Sequence, residues 1–99
     1  MRIVNRALAR RYAERNASAK KPLALWLKVV AAANWNTPHD VKAALPSADL
    51  VRVGEEPLWV FNIRGNNYRL IALVVFAASE LTILEIMTHA QYDKWNKNR

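Results

Sequence analysis

The chain contains no cysteine, only two glycines and four prolines, and no long hydrophobic run. The absence of cysteine excludes disulfides, thiolate zinc sites and cysteine nucleophiles, and it fits a reducing compartment. The longest uncharged apolar segment, residues 70–78, is about half as long as a membrane span. Residues 1–6 lack the features of a secretory signal. We therefore expect a cytoplasmic protein with no membrane partner.

Several kinds of catalytic site are also missing from the sequence. There are only two histidines, no GxxxxGK[ST] phosphate loop and no HExxH motif, so we expect no metal and no cofactor. Glu55 and Glu56 fall in a predicted turn and Glu85 falls within a predicted strand, so the paired carboxylates of a glycosidase are hard to build. His39, beside Asp40, is expected to be a surface residue.

Positive charge is what the chain has in excess. Its 15 Lys and Arg against 8 Asp and Glu give a net charge of +7, and seven of the bases lie in residues 1–21 against the single acid Glu14. Such a basic segment can bind RNA, anionic lipid or an acidic protein, or form only a solvated helix face. Charge alone does not decide among these partners.

The hydrophobic pattern predicts one α+β domain over residues 1–99, with helices packed on one face of an antiparallel sheet of about four strands. Asn5 is a candidate cap for the first helix, and Leu23, Trp26, Leu27 and Val30 mark the apolar face of the second. From residue 48 the period changes to two, as in strands. The pattern places helices at 5–15, 22–33, 38–44 and 90–97, strands at 48–53, 58–64, 67–76 and 81–88, and an additional edge strand at 1–4.

Four side chains near one end of the predicted sheet form the candidate catalytic site. In strand 58–64, alternation places Arg64 on the polar face with Asn62, and Arg69 begins the next strand across a tight turn at Gly65-Asn66. Two guanidinium groups suit a phosphodiester. His89 follows the last strand and Tyr92 lies about one helical turn later.

These four groups match the chemistry of RNA cleavage by the 2′-hydroxyl. That reaction needs a base for the hydroxyl, an acid for the leaving 5′ oxygen and cations for the charged phosphorane. The alternative is that these residues have no catalytic role. The two arginines would then be solvated residues of the hairpin, the histidine would be structural, and the tyrosine would pack on Trp95.

Blocks of residues along nearly the whole chain resemble the HigB family of bacterial type II toxins, in the RelE-like superfamily. The blocks are Trp35-Asn36-Thr37-Pro38, Asp40-Val41-Lys42, Pro46-Ser47-Ala48-Asp49, the segment Phe61–Leu70, and Thr88-His89 with Tyr92-Asp93.

The resemblance implies a metal-independent endoribonuclease, an mRNA interferase, that cuts mRNA on the translating ribosome and arrests growth. It implies a cognate HigA-type antitoxin with a helix-turn-helix domain, so DNA is contacted only through the antitoxin complex. It also assigns catalysis to Arg64, Arg69, His89 and Tyr92. The RNA-positioning residues are then Asn62, Asn66 and Asn67. From the basic segments we expect contacts with ribosomal RNA, made by Arg10, Arg11, Lys94 and Lys97.

Two other functions stay open at this stage. A non-catalytic module on the same fold would bind RNA or an antitoxin without making a product. A small interaction protein whose basic face meets only an acidic partner would not respond to RNA at all.

Overall fold

The computed structural model describes all 99 residues, Met1–Arg99. The predicted α+β architecture is confirmed, and no helix has both the length and the apolar character needed to cross a membrane. In chain order the elements are β1 (Arg2–Val4), α1 (Arg6–Arg15), α2 (Lys20–Ala32), α3 (Pro38–Ala44), β2 (Asp49–Val53), β3 (Glu56–Ile63), β4 (Tyr68–Val75), β5 (Glu80–Thr88) and α4 (His89–Lys97), with short 3-10 turns at Ala17–Ala19 and Phe76–Ala78.

The sheet has five strands in the order β1-β5-β4-β3-β2. Strands β2 to β5 form an antiparallel meander, which confirms the predicted antiparallel sheet of about four strands. The edge strand expected at the N-terminus is present as β1, but it pairs parallel to β5, so the whole sheet is mixed. The segment with α1, α2 and α3 between β1 and the meander provides the long connection that a parallel pairing needs.

The larger core lies between the first face of the sheet and the N-terminal helices. Leu23, Trp26 and Val30 of α2 are buried there, as the helical spacing predicts, and the Trp26 ring meets Phe61 of β3 edge-on at 5.3 Å. Trp35 stacks on the same phenylalanine. Burial of these large side chains is the main stabilising contribution to the fold.

A second, smaller core lies on the opposite face of the sheet. It contains Leu58, Val60, Ile71 and Met87, and the aromatic rings of α4 pack against it. The expectation that all helices share one face is therefore wrong for α4. The sheet has an apolar patch on each face. Helix α4 follows β5 directly and packs on the patch that the N-terminal helices do not cover.

A bulge in β5 determines which of its residues face the second core. The register shifts between Ile71↔Glu85 and Ala72↔Ile83, so one additional residue, Leu84, is inserted into β5. The insertion reverses the alternation of side chains. As a result Ile83 and Ile86 both lie in the first core, and Met87 lies in the second, opposite Arg69.

Helix α2 begins at Lys20 rather than at 22, and α4 at His89 rather than at 90. Thr37 and Thr88 cap α3 and α4 through complete capping boxes, with Asp40 and Gln91 as the partners. The predicted cap at Asn5 is wrong: its φ is 71° and its side chain makes no cap bond. The amide Nδ2 of Asn5 instead donates to the carbonyl of Ile83 at 3.0 Å, which ties the start of α1 to β5.

Candidate active site

Arg69 is the one buried charged residue of the protein, with 8% of its surface exposed. Its neighbours in β4, Tyr68 and Leu70, face the first core, so alternation directs Arg69 to the second face. There it lies in register between Asn62 of β3 and Met87 of β5. The sheet therefore positions Arg69 rigidly at the end of the hairpin.

Three neutral acceptors hold the Arg69 guanidinium. Nη1 donates to the carbonyl of Tyr68 at 3.1 Å, and Nη2 donates both to Oδ1 of Asn66 at 2.5 Å and to Nδ1 of His89 at 3.2 Å. The acceptors come from β4, the β3–β4 turn and α4. None of them is a carboxylate, and Arg69 takes part in no ion pair.

Two N–H groups of Arg69 have no hydrogen-bond partner in the chain. A guanidinium carries five N–H groups, and the three hydrogen bonds leave Nε–H and one Nη1 proton unused. The indole nitrogen of Trp26 is the only fully buried side-chain polar atom without a partner, so the unpaired Nε of Arg69 keeps some exposure to solvent. A buried cation with neutral partners and free donors is a site for an anion, because buried charges are otherwise paired.

His89 is held at both ring nitrogens. Its backbone N–H donates to the carbonyl of Asn67 at 3.0 Å, which places the ring at the start of α4. Because arginine can only donate, Nδ1 must accept from Arg69, so the proton of the neutral ring lies on Nε2. Nε2 faces Oδ2 of Asp93 at 3.4 Å, one turn along α4. Asp93 therefore favours the same tautomer that Arg69 requires.

Tyr92 forms the aromatic wall of the site. The guanidinium carbon of Arg69 lies 5.6 Å from the centroid of its ring, within the range of a cation–π contact, and the ring stacks on Trp95 at 5.7 Å. Burial raises the pKa of the Tyr92 hydroxyl above its ordinary value. The hydroxyl is thus protonated near neutral pH and can act as a hydrogen-bond or proton donor.

The structure brings together three of the four predicted catalytic residues and leaves the fourth apart. Arg69 contacts both His89 and Tyr92, whereas Arg64 makes no hydrogen bond or ion pair to any of the three. The prediction that Arg64 lies in β3 beside Asn62 is wrong, since β3 ends at Ile63 and Arg64 has a φ of 53°. Within the four-residue turn 64–67, Arg64 and Gly65 both have positive φ.

The predicted RNA-binding residues divide between the two faces. Asn66 belongs to the Arg69 cluster, Asn67 contributes its carbonyl to His89, and exposed Asn62 lies opposite Arg69. Lys94 and Lys97 are exposed on α4. Arg10 and Arg11 lie on α1, whose residues pack on the first face, and they line two separate depressions. His39 is exposed, as expected.

Two contributors to the site were not among the predicted site residues. Asp93 orients His89, and the i, i+4 spacing of these residues on a helix is a signal for such a pair. The capping box of Thr88 and Gln91 fixes the start of α4, and its signal is Thr-x-x-Gln at the end of a strand. No group of three or more His, Asp or Glu side chains is arranged to hold a metal ion.

Comparison with known proteins gives the family. The family model for the HigB toxin, described as the RelE-like toxic component of a toxin–antitoxin system, matches residues 19–95. The chain belongs to this family. The resemblance seen in the sequence blocks is thereby confirmed, and the whole Arg69 cluster lies inside the matched region of this HigB-family toxin.

Curated relatives carry the same family name. The mRNA interferase toxin HigB of Escherichia coli K12 is 30% identical over 93 residues, which cover 94% of this chain and 88% of the relative. The mRNA interferase HigB of Shigella flexneri matches to the same extent. The mRNA interferase HigB of Escherichia coli O6:H1 (strain CFT073) is 30% identical over 67 residues, or 68% of this chain and 64% of the relative.

Proposed function

We propose that this HigB-family toxin is an endoribonuclease that cleaves mRNA in the cytoplasm and thereby arrests growth. The single observation that carries the proposal is Arg69: a buried cation, held by three neutral acceptors, with free donors and no counter-ion. A phosphodiester supplies the missing negative charge. The names of the E. coli and Shigella relatives point to the same substrate.

Arg69 binds the scissile phosphate in this mechanism. Its free N–H groups donate to the non-bridging oxygens, and the positive charge stabilises the phosphorane as negative charge develops on it. The β4 backbone, Asn66 and His89 hold the guanidinium in place before the substrate arrives. Preorganisation of this kind avoids the cost of reorienting the cation during the reaction.

His89 and Tyr92 move the protons. When the substrate binds, Nδ1 of His89 exchanges its hydrogen bond from Nη2 of Arg69 for one from the 2′-hydroxyl, and its lone pair then accepts the hydroxyl proton. The 2′ oxygen then attacks phosphorus, the bond from phosphorus to the 5′ oxygen breaks, and the Tyr92 hydroxyl protonates that oxygen. The products are a 2′,3′-cyclic phosphate and a 5′-hydroxyl end.

The surrounding exposed residues contact the rest of the substrate. Asn62 and Asn67 flank the cluster, and Arg64 approaches a neighbouring phosphate from the turn. Lys94 and Lys97 on α4, together with Arg11 on α1, bind ribosomal RNA through its phosphates, which makes binding sensitive to salt but not to sequence. We also propose a HigA-type helix-turn-helix antitoxin as the partner, through which the complex contacts DNA.

Inducible expression in bacteria tests the proposal. Wild type is compared with Arg69→Ala and His89→Ala while growth is followed and the 5′ ends of mRNA are mapped. We expect growth arrest and new 5′-hydroxyl ends with wild type, and neither with the two variants as soluble, folded proteins. A soluble wild type that leaves mRNA intact would mean a non-catalytic RNA- or antitoxin-binding module.

A further inference from the structure

An open groove of about 620 Å³ runs between α1 and α2. The side chains that line the groove are apolar and mostly small, and the charged side chains at its rim are mostly basic. The apolar lining residues are Ala9, Ala13, Ala17, Leu23, Ala24 and Leu27, and the charged ones are Arg6, Arg10, Glu14 and Lys20. The groove lies on the first face of the sheet, whereas the Arg69 cluster lies on the second face.

The cations of the rim have no partners within the chain. The protein contains only two side-chain ion pairs, Arg2 with Glu80 and His89 with Asp93. Arg6 and Arg10 stand one turn apart on α1, and Lys20 faces them from the start of α2. The groove is thus flanked on both sides by unpaired positive charge, with Glu14 as its one acidic residue.

The shape and chemistry of the groove favour a helix over a nucleic acid. Single-stranded RNA is held by aromatic platforms as well as cations, and the apolar lining here is entirely Ala and Leu. Small side chains permit close approach of a helix, and exposed Ala24 beside half-buried Leu27 offers an apolar surface for its apolar face. Helix α1 is about 15 Å long, which a partner helix of about three turns would span.

We infer that this groove binds an acidic amphipathic helix of the antitoxin. The apolar face of that helix lies on Ala13, Ala24 and Leu27, and its flanking carboxylates pair with Arg6, Arg10 and Lys20. Arg10 is thereby assigned to the protein partner rather than to ribosomal RNA. The inference rests on family membership and not on the cleavage mechanism.

A binding experiment on the full chain tests the inference. The probe is a fluorescent peptide of about 14 residues, with Leu on one helical face and Glu on both flanks, and its control carries Lys in place of Glu. Two variants receive the same change on the same helix: Ala24→Glu inside the groove, and Ala32→Glu, which is also exposed but does not line it.

We expect the acidic peptide to bind, with an affinity that falls as salt is raised, and the Lys peptide not to bind. Ala24→Glu should weaken binding by about tenfold or more, and Ala32→Glu by about twofold or less. Equal weakening by the two variants, equal binding of both peptides, or no binding of the acidic peptide would overturn the inference.

Two further measurements separate this inference from the proposed function. A short single-stranded RNA should not displace the acidic peptide, and displacement would mean that the α1 cations serve RNA instead. Both variants should cleave mRNA as wild type does. Absence of cleavage by wild type would overturn the proposed function but leave the groove assignment standing, because the two sites lie on opposite faces of the sheet.

Discussion

Arg69 donates from Nη2 to Nδ1 of His89 at 3.2 Å, and this bond joins the middle of the sheet to the first residue of α4. The two residues are 20 positions apart, and the hairpin of β4 and β5 brings them together. The bond sets the tautomer of the imidazole and the direction of the guanidinium at once.

Asp93→Asn should lower cleavage without lowering stability. The contact of Asp93 with His89 is half-exposed, so the free energy of unfolding should change by about 0.5 kcal/mol or less. Asparagine holds Nε2–H less firmly, so the tautomer that leaves Nδ1 as an acceptor should become less populated. We expect about a tenfold loss of cleavage rate, together with a change in the ¹⁵N shifts of the His89 ring.

Glu55→Gln is the control for charge, because it removes an exposed acid from the β2–β3 turn. It should leave both the cleavage rate and the ring shifts unchanged. If Asp93→Asn cleaves at the wild-type rate with unaltered ring shifts, Asp93 does not orient His89.

The two capping boxes provide a matched pair of variants. Thr88→Ala and Thr37→Ala each remove a threonine cap from a helix, so each should cost about 1 kcal/mol and lower Tm by about 4–8 °C. Only Thr88 fixes the helix that carries His89 and Tyr92. Thr88→Ala should therefore also reduce cleavage, by about tenfold or more, while Thr37→Ala leaves it unchanged.

Thermal unfolding followed by circular dichroism and a cleavage assay on the same samples check this pair. Equal cleavage by the two variants at equal stability loss would show that the start of α4 does not position the site.

Tyr92 makes stability depend on pH in the alkaline range. Burial raises the pKa of its hydroxyl in the folded state, so the folded protein holds this proton more tightly than the unfolded chain does. The resulting stabilisation is complete below pH about 10 and is lost as the pH rises through the folded-state pKa. Wild type should therefore lose more stability than Tyr92→Phe over this rise.

Denaturant unfolding of both proteins from pH about 9 to pH about 11 measures the difference, with Tyr12→Phe as a comparison. Tyr12 also has a pKa raised by burial, but it lies on the other face of the sheet. Parallel stability curves for wild type and Tyr92→Phe would contradict the burial of this hydroxyl.

The element types were predictable because local patterns determine them. The i, i+3, i+4 spacing of Leu23, Trp26 and Leu27 marks α2, and alternation marks β3. The bulge at Leu84 was not predictable, since it depends on how β5 meets β4. The face that α4 covers follows from that bulge and from packing, so the sequence alone could not predict it.

The residues of the candidate site were predictable, but their arrangement in space was predictable only in part. Arg69, His89 and Tyr92 were identified together and do meet. The position of Arg64 was mistaken because positive φ at a non-glycine residue in a turn has little sequence signal. The burial of Arg69 and the bonds that hold it arise from tertiary contacts, which strand alternation does not reveal.

The most direct test of the account is the rate of mRNA cleavage by Arg69→Lys on translating ribosomes. Lysine keeps the positive charge but loses the planar fork that reaches Tyr68, Asn66 and His89 together. Arg52→Lys, at an exposed position on β2, is the matched control. We predict a folded Arg69→Lys protein that cleaves about 100-fold more slowly than wild type, with Arg52→Lys unaffected. Cleavage by Arg69→Lys at the wild-type rate would contradict the central role of the guanidinium.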